Sequence, residues 1–86
     1  MTLFELVPYE KEMERLKVCE VARSRDGFLH YFKRIGGNPA RVSKSWQYKR
    51  DLFIARTLGV YKYHQEQGHN TDGMRLSLIA WSYKPD

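Results

Sequence analysis

The sequence predicts a mainly α fold, a small single domain over residues 1–86 made of four or five short helices. Three observations predict it. Eighty-six residues leave room for one domain only. Apolar side chains recur at helical spacing, most cleanly at Phe28, Tyr31, Phe32 and Ile35. Glycine, Asn-Pro and an Asn-Thr-Asp-Gly run punctuate the chain where helices would start and stop. A hydrophobic content of 42% is too high for a disordered chain.

In chain order, Leu3, Phe4, Leu6 and Val7 open an apolar cluster, and Pro8 suits the first position of a helix. From Tyr9 to about Arg23 the charge-dense text predicts a helix, with Tyr9, Met13 and Leu16 on one face. Val18, Val21 and Ala22 fall off that face, so the second half also reads as a strand. Asp26 is the expected N-cap of the next helix, because its carboxylate can accept free first-turn N–H groups. Phe28, Tyr31, Phe32 and Ile35 then form an amphipathic stripe, which Gly36 and Gly37 end.

Asn38-Pro39 restarts the chain as N-cap and first helical residue. The pattern that follows is apolar on two sides: Val42, Trp46, Phe53 and Val60 against Tyr48, Leu52, Ala55 and Leu58. Such a helix is either buried between neighbours or broken midway. Gly59 is the expected break, followed by a short helix from Val60 to Gln67 closed by Gly68. In Met74–Tyr83, residue composition favours a helix, whereas the alternation of side chains would suit a strand paired with Leu3–Val7 and make the fold α+β.

Charge is unevenly placed. Residues 1–22 carry −2, residues 63–86 carry −1, and residues 23–62 carry +8, with ten bases against Asp26 and Asp51. Within the basic middle, Arg41, Lys44, Lys49 and Arg50 surround Trp46 and Tyr48, and Arg56 and Lys62 continue the series. Cations neutralise phosphates and release counterions, while aromatic faces stack on unpaired bases. Local acids are too few to satisfy these cations. The expected function is therefore nucleic-acid binding, DNA or RNA, through those eight residues. The alternative is a non-enzymatic adaptor or inhibitor docking on an acidic protein, of the kind a virus or mobile element encodes. There, Trp81, Tyr83 and Leu3–Val7 would form the contact patch or a homodimer seam.

Ile54-Ala55 followed by Leu58-Gly59-Val60 resembles the core of a helix-turn-helix, with a small residue four positions before a turn glycine and aliphatics around them. The resemblance covers less than a quarter of the chain, and Gln65 and Gly68 depart from its apolar pattern. It implies that Tyr61–Gln67 is a recognition helix presenting Tyr61, Lys62, His64 and Gln65 to the major groove.

Other classes lack support in the residues. Cys19 is the single cysteine, which excludes an internal disulfide and fits a reducing compartment. No apolar run reaches 18 residues and the first residues are not patterned as a signal peptide, so a cytoplasmic location without membrane association is expected. His64 and His69 stand five apart, not at the i, i+4 spacing of a helical metal pair. No nucleophile elbow or phosphate-cradling glycine loop is present, so neither an enzyme nor a cofactor is expected.

Overall fold

The computed structural model describes residues Met1–Pro85. It is helical, and among the described residues there is no strand. Thr2 starts α1 (Leu3–Leu6) with a capping box. Its hydroxyl accepts from the Glu5 amide, and the Glu5 carboxylate accepts from the Thr2 N–H. The Thr2 N–H and hydroxyl, both donating to the carboxylate, hold the Glu5 carboxyl below its ordinary pKa. A 3-10 turn, Val7–Tyr9, carries Pro8 and leads into α2 (Glu10–Arg15).

The helix expected to run on to Arg23 stops at Arg15 instead. Lys17 takes the left-handed conformation, and the Val18 N–H bonds back to the Met13 carbonyl at 3.0 Å, as in a Schellman ending. Cys19, also left-handed, restarts the chain into α3 (Glu20–Arg23). The reason is burial. Val18, Cys19 and Ala22 lie off the Met13 face, so they reach the core only if the helix axis turns.

α4 (Phe28–Arg34) buries Phe28, Leu29 and Phe32, with Tyr31 and Ile35 at its margin. Its N-cap is Gly27 and not Asp26, whose side chain makes no cap. The backbone of α3 presses against this position: a Cβ on Gly27 would stand 2.1 Å from the Val21 carbonyl oxygen. Gly36 and Gly37 end α4 as expected, both at positive φ, and Gly37 also lies against Leu3 of α1.

Asn38 caps a 3-10 turn, Pro39–Arg41, and its side chain accepts from the Ala40 amide at 3.0 Å. The long helix begins later than Pro39. Ser43 caps α5 (Lys44–Glu66), its hydroxyl accepting from the Trp46 amide. This helix passes through Gly59 without a break, so the expected helix-turn-helix is absent and Val60–Gln67 is no separate helix. Phe53, Thr57 and Tyr61 continue one inward face across the glycine, and Tyr61 is only 4% exposed. That burial outweighs the roughly 1 kcal/mol by which a helical glycine falls short of alanine. Gly68, at positive φ, closes the helix as expected.

α6 (Asp72–Ala80) settles the ambiguous C-terminal segment as helix. Leu76, Leu78, Ile79 and Ala80 are all buried, and α6 packs on α2 and α5. A helix places 76, 79 and 80 on one face, where a strand would divide them between two. The core thus gathers Leu6, Met13, Phe28, Leu29, Phe32, Leu76 and Ile79 from α1, α2, α4 and α6.

Two glycines give opposite expectations for chemical denaturation. Gly27→Ala is expected to destabilise the protein by about 2–3 kcal/mol, because backbone cannot move aside for the methyl group. Gly59→Ala, with nothing within 4 Å of the new Cβ, is expected to stabilise it by about 1 kcal/mol. A turn glycine at position 59 would instead make that change destabilising.

Candidate nucleic-acid interface

The basic surface rests on an aromatic cluster shared by α4, α5 and the residue after α6. Trp81 stacks on Phe28, with ring centroids 4.9 Å apart, and on Phe53 at 5.0 Å. Trp46 meets Phe28 edge-on at 5.8 Å and stacks on Tyr31 at 5.2 Å. Pairs of this kind contribute about 0.5–1.5 kcal/mol each beyond the area they bury. The Tyr31 hydroxyl accepts from the Ser43 amide at 2.8 Å, which ties α4 to the first turn of α5.

Cations extend this cluster outward. The Arg34 guanidinium lies 5.8 Å from the Tyr31 ring centroid, and Lys49 Nζ lies 4.9 Å from that of Trp46. Arg34, Tyr31, Trp46 and Lys49 thus form a continuous chain of contacts, with a cation over each of its two aromatic rings. Arg41 and Lys44 flank the same region at the start of α5, both exposed. Among the described residues, none of Arg41, Lys44, Lys49, Arg56 or Lys62 makes an ion pair with a carboxylate.

The eight residues singled out from the sequence therefore divide. Arg41, Lys44, Tyr48, Lys49, Arg56 and Lys62 are exposed. Lys62 stands apart, about 27 Å along α5 from Lys44. Trp46 is half-buried, with its ring engaged by Phe28, Tyr31 and Lys49. Arg50 turns inward: Nε donates to the Trp81 carbonyl at 2.7 Å and Nη2 to the Ser82 carbonyl at 3.0 Å. Burial lowers its pKa, with Asp51 opposing that shift. A cation satisfied by backbone carbonyls has no signature in composition, so the sequence placed Arg50 with its neighbours. The residues proposed for groove reading fare differently again. Tyr61 is buried, His64 is half-buried with Nδ1 2.8 Å from that of His69, and Lys62 and Gln65 face outward.

Sequence reasoning missed Tyr31 and Arg34. Tyr31 reads only as part of the amphipathic stripe, although its i, i+3 spacing to Arg34 is visible in the sequence. Trp81 belongs to the interior cluster rather than to a patch with Leu3–Val7, whereas Phe4 at 91% and Val7 at 45% remain exposed. Among the described residues, no three His, Cys, Asp or Glu side chains converge as metal ligands, and no helix is long and apolar enough to cross a membrane. Comparison with protein-family models, curated proteins and solved structures gives no match.

Arg50→Ala is expected to lose about 2–3 kcal/mol of stability in denaturant titration, since two charge-assisted bonds vanish and two partly buried carbonyls lose a donor. Lys49→Ala, removing an exposed cation–π contact, is expected to lose less than about 1 kcal/mol. Cys19 supplies a second check. Burial raises its thiol pKa, against a Ser77 contact and Arg23 that lower it. The native thiol is therefore expected to react with a disulfide reagent more slowly than the unfolded chain near pH 8.5, and its rate–pH midpoint should lie above the unfolded one.

Proposed function

We propose that the protein binds nucleic acid through the outward side of the start and middle of α5, with Arg34, Arg41, Lys44, Lys49 and Arg56 on phosphates and Tyr48 against a base. The observation that carries this reading is the set of exposed cations without carboxylate partners, two of them held in place by the Tyr31–Trp46 stack. Pre-positioned cations lose less side-chain entropy on meeting a phosphate than free ones do. Tyr48 is 66% exposed and stands among them, so its ring is available to an unpaired base. With Tyr61 buried and no recognition helix projecting, the surface suits backbone contact and stacking better than reading base edges in a groove.

The alternative, a docking module for another protein, is supported by a separate observation. Phe4, Val7, Leu3 and Pro8 line an open apolar concavity remote from the cations in sequence. An apolar contact there would respond little to salt.

Fluorescence anisotropy of labelled single-stranded DNA, RNA and duplex DNA, titrated at several salt concentrations, tests the proposal. The expected result is binding that weakens with salt, with a log–log slope near −0.7 per phosphate contact on a single strand. Lys49→Glu with Arg56→Glu is expected to weaken it at least about tenfold without loss of fold, because both side chains are exposed. Undiminished binding by that double variant, or binding insensitive to salt, would remove the reading.

A further inference from the structure

The outer face of α5 carries a second feature, which shares only Tyr48 with the nucleic-acid reading. The helix is about 34 Å long and only its inner face, with Trp46, Phe53 and Tyr61, is packed. On the outer face, Tyr48, Leu52, Ala55, Gly59 and Tyr63 follow one another at steps of four, three, four and four residues. That is the spacing of a helix–helix seam. Leu52 is 50% exposed and Tyr63 is 57% exposed, Ala55 is exposed, and open space surrounds Gly59. Ala55 and Gly59, four apart, would let a second backbone come close.

We infer that this stripe is the seam of an antiparallel homodimer, in which α5 of a second copy of the chain packs on α5 about a two-fold axis near Thr57. Charge selects that occupant. Asp51 and Lys62 lie eleven residues apart, three helical turns, and so share one flank of the stripe. In an antiparallel pair the same flanks meet, so Asp51 of each copy lies beside Lys62 of the other, giving two opposite-charge pairs. The same register sets Ala55 against Gly59 of the second copy, and the Tyr48 hydroxyl against the Glu66 carboxylate. The Asp51 side chain is 76% exposed, with Arg50 at 4.0 Å as its ion partner, so it is open to a further cation. A parallel copy would instead put Glu66 against Glu66 along the seam and part Asp51 from Lys62, with helix dipoles aligned. A polyanion on this stripe would meet Asp51 and Glu66. One like-charge approach remains in the antiparallel register, between the two Arg56 side chains near the axis, against the two favourable pairs. Lys49 and Arg56 stay on the opposite flank, open to phosphate, whereas the Tyr48 ring cannot serve the seam and a base at once.

The seam is small, at the lower end of stable interfaces, so a dissociation constant in the micromolar range is expected. Sedimentation velocity on the full chain without nucleic acid, over a concentration series, reads it directly and independently of the binding reading above. The expected result is a concentration-dependent monomer–dimer equilibrium. Leu52→Glu should abolish the dimer. Asp51→Lys and Lys62→Asp should each weaken it about fivefold or more, while the two together restore it to within about twofold. All three positions are exposed, and unchanged helicity and melting behaviour verify that the variants fold. A chain that stays monomeric up to about millimolar concentration, where even weak association shows, overturns the inference. So does a charge-swapped double variant that fails to recover, because only the antiparallel register makes Asp51 and Lys62 partners.

Discussion

Arg50 holding the carbonyls of Trp81 and Ser82 is the contact on which the rest of this small structure depends. A chain of this length has a modest core, and its last helix must be held against its longest one. The guanidinium does this by donating to two successive carbonyls just past the end of α6, where helix carbonyls lack partners. Trp81 is thereby seated between Phe28 and Phe53, which links α4, α5 and α6 through one indole ring. Ser82 completes the arrangement. It is 3% exposed, adopts the left-handed conformation, and its hydroxyl donates to the Met1 carbonyl. That strained backbone persists because Arg50, Met1 and the packed indole of Trp81 together over-determine it.

The same aromatic cluster connects the interior to the surface chemistry. Its inner members, Phe28 and Trp81, are packing. Its outer members, Tyr31 and Trp46, are a platform on which Arg34 and Lys49 are placed. Arg50 and Lys49 are therefore neighbours in sequence with unrelated duties, one structural and one available to an external anion. α5 divides in the same way around its circumference, with an inner face in the core, Lys49 and Arg56 along one flank, and an apolar stripe between them and Asp51. One helix can carry these separate roles because 3.6 residues per turn spread neighbouring residues around its axis.

Much of the local structure was legible in the residues. The Phe28–Ile35 stripe, its end at Gly36-Gly37, the Asn38 cap on Pro39 and the stop at Gly68 all follow from local backbone preferences, which act regardless of what surrounds them. The misreadings share a cause. Asp26 offered a carboxylate for a cap, but α3 presses so closely on the next residue that Gly27 takes that place. Gly59 reads as a stop, but the inward face continuing through Thr57 and Tyr61 carries the helix past it. The candidate interface was legible as composition, in the cations and rings of residues 41–62. Its support on α4 was not, since the Tyr31–Trp46 contact that joins Tyr31 and Arg34 to α5 lies between helices and leaves no periodicity in either one.

By itself, then, the sequence determined that this is a mainly helical domain with a basic middle, because helical periodicity, capping chemistry and net charge are properties of short stretches. Tertiary structure alone decided where α2 breaks, that α5 runs unbroken, that Met74–Ala80 is helix rather than strand, and which cations face outward. Each of those outcomes turns on whether a side chain is buried against a residue distant in the chain. The free energy of that burial, about 1.5–3 kcal/mol for a large apolar side chain, exceeds the local preferences of about 1 kcal/mol or less that a sequence displays.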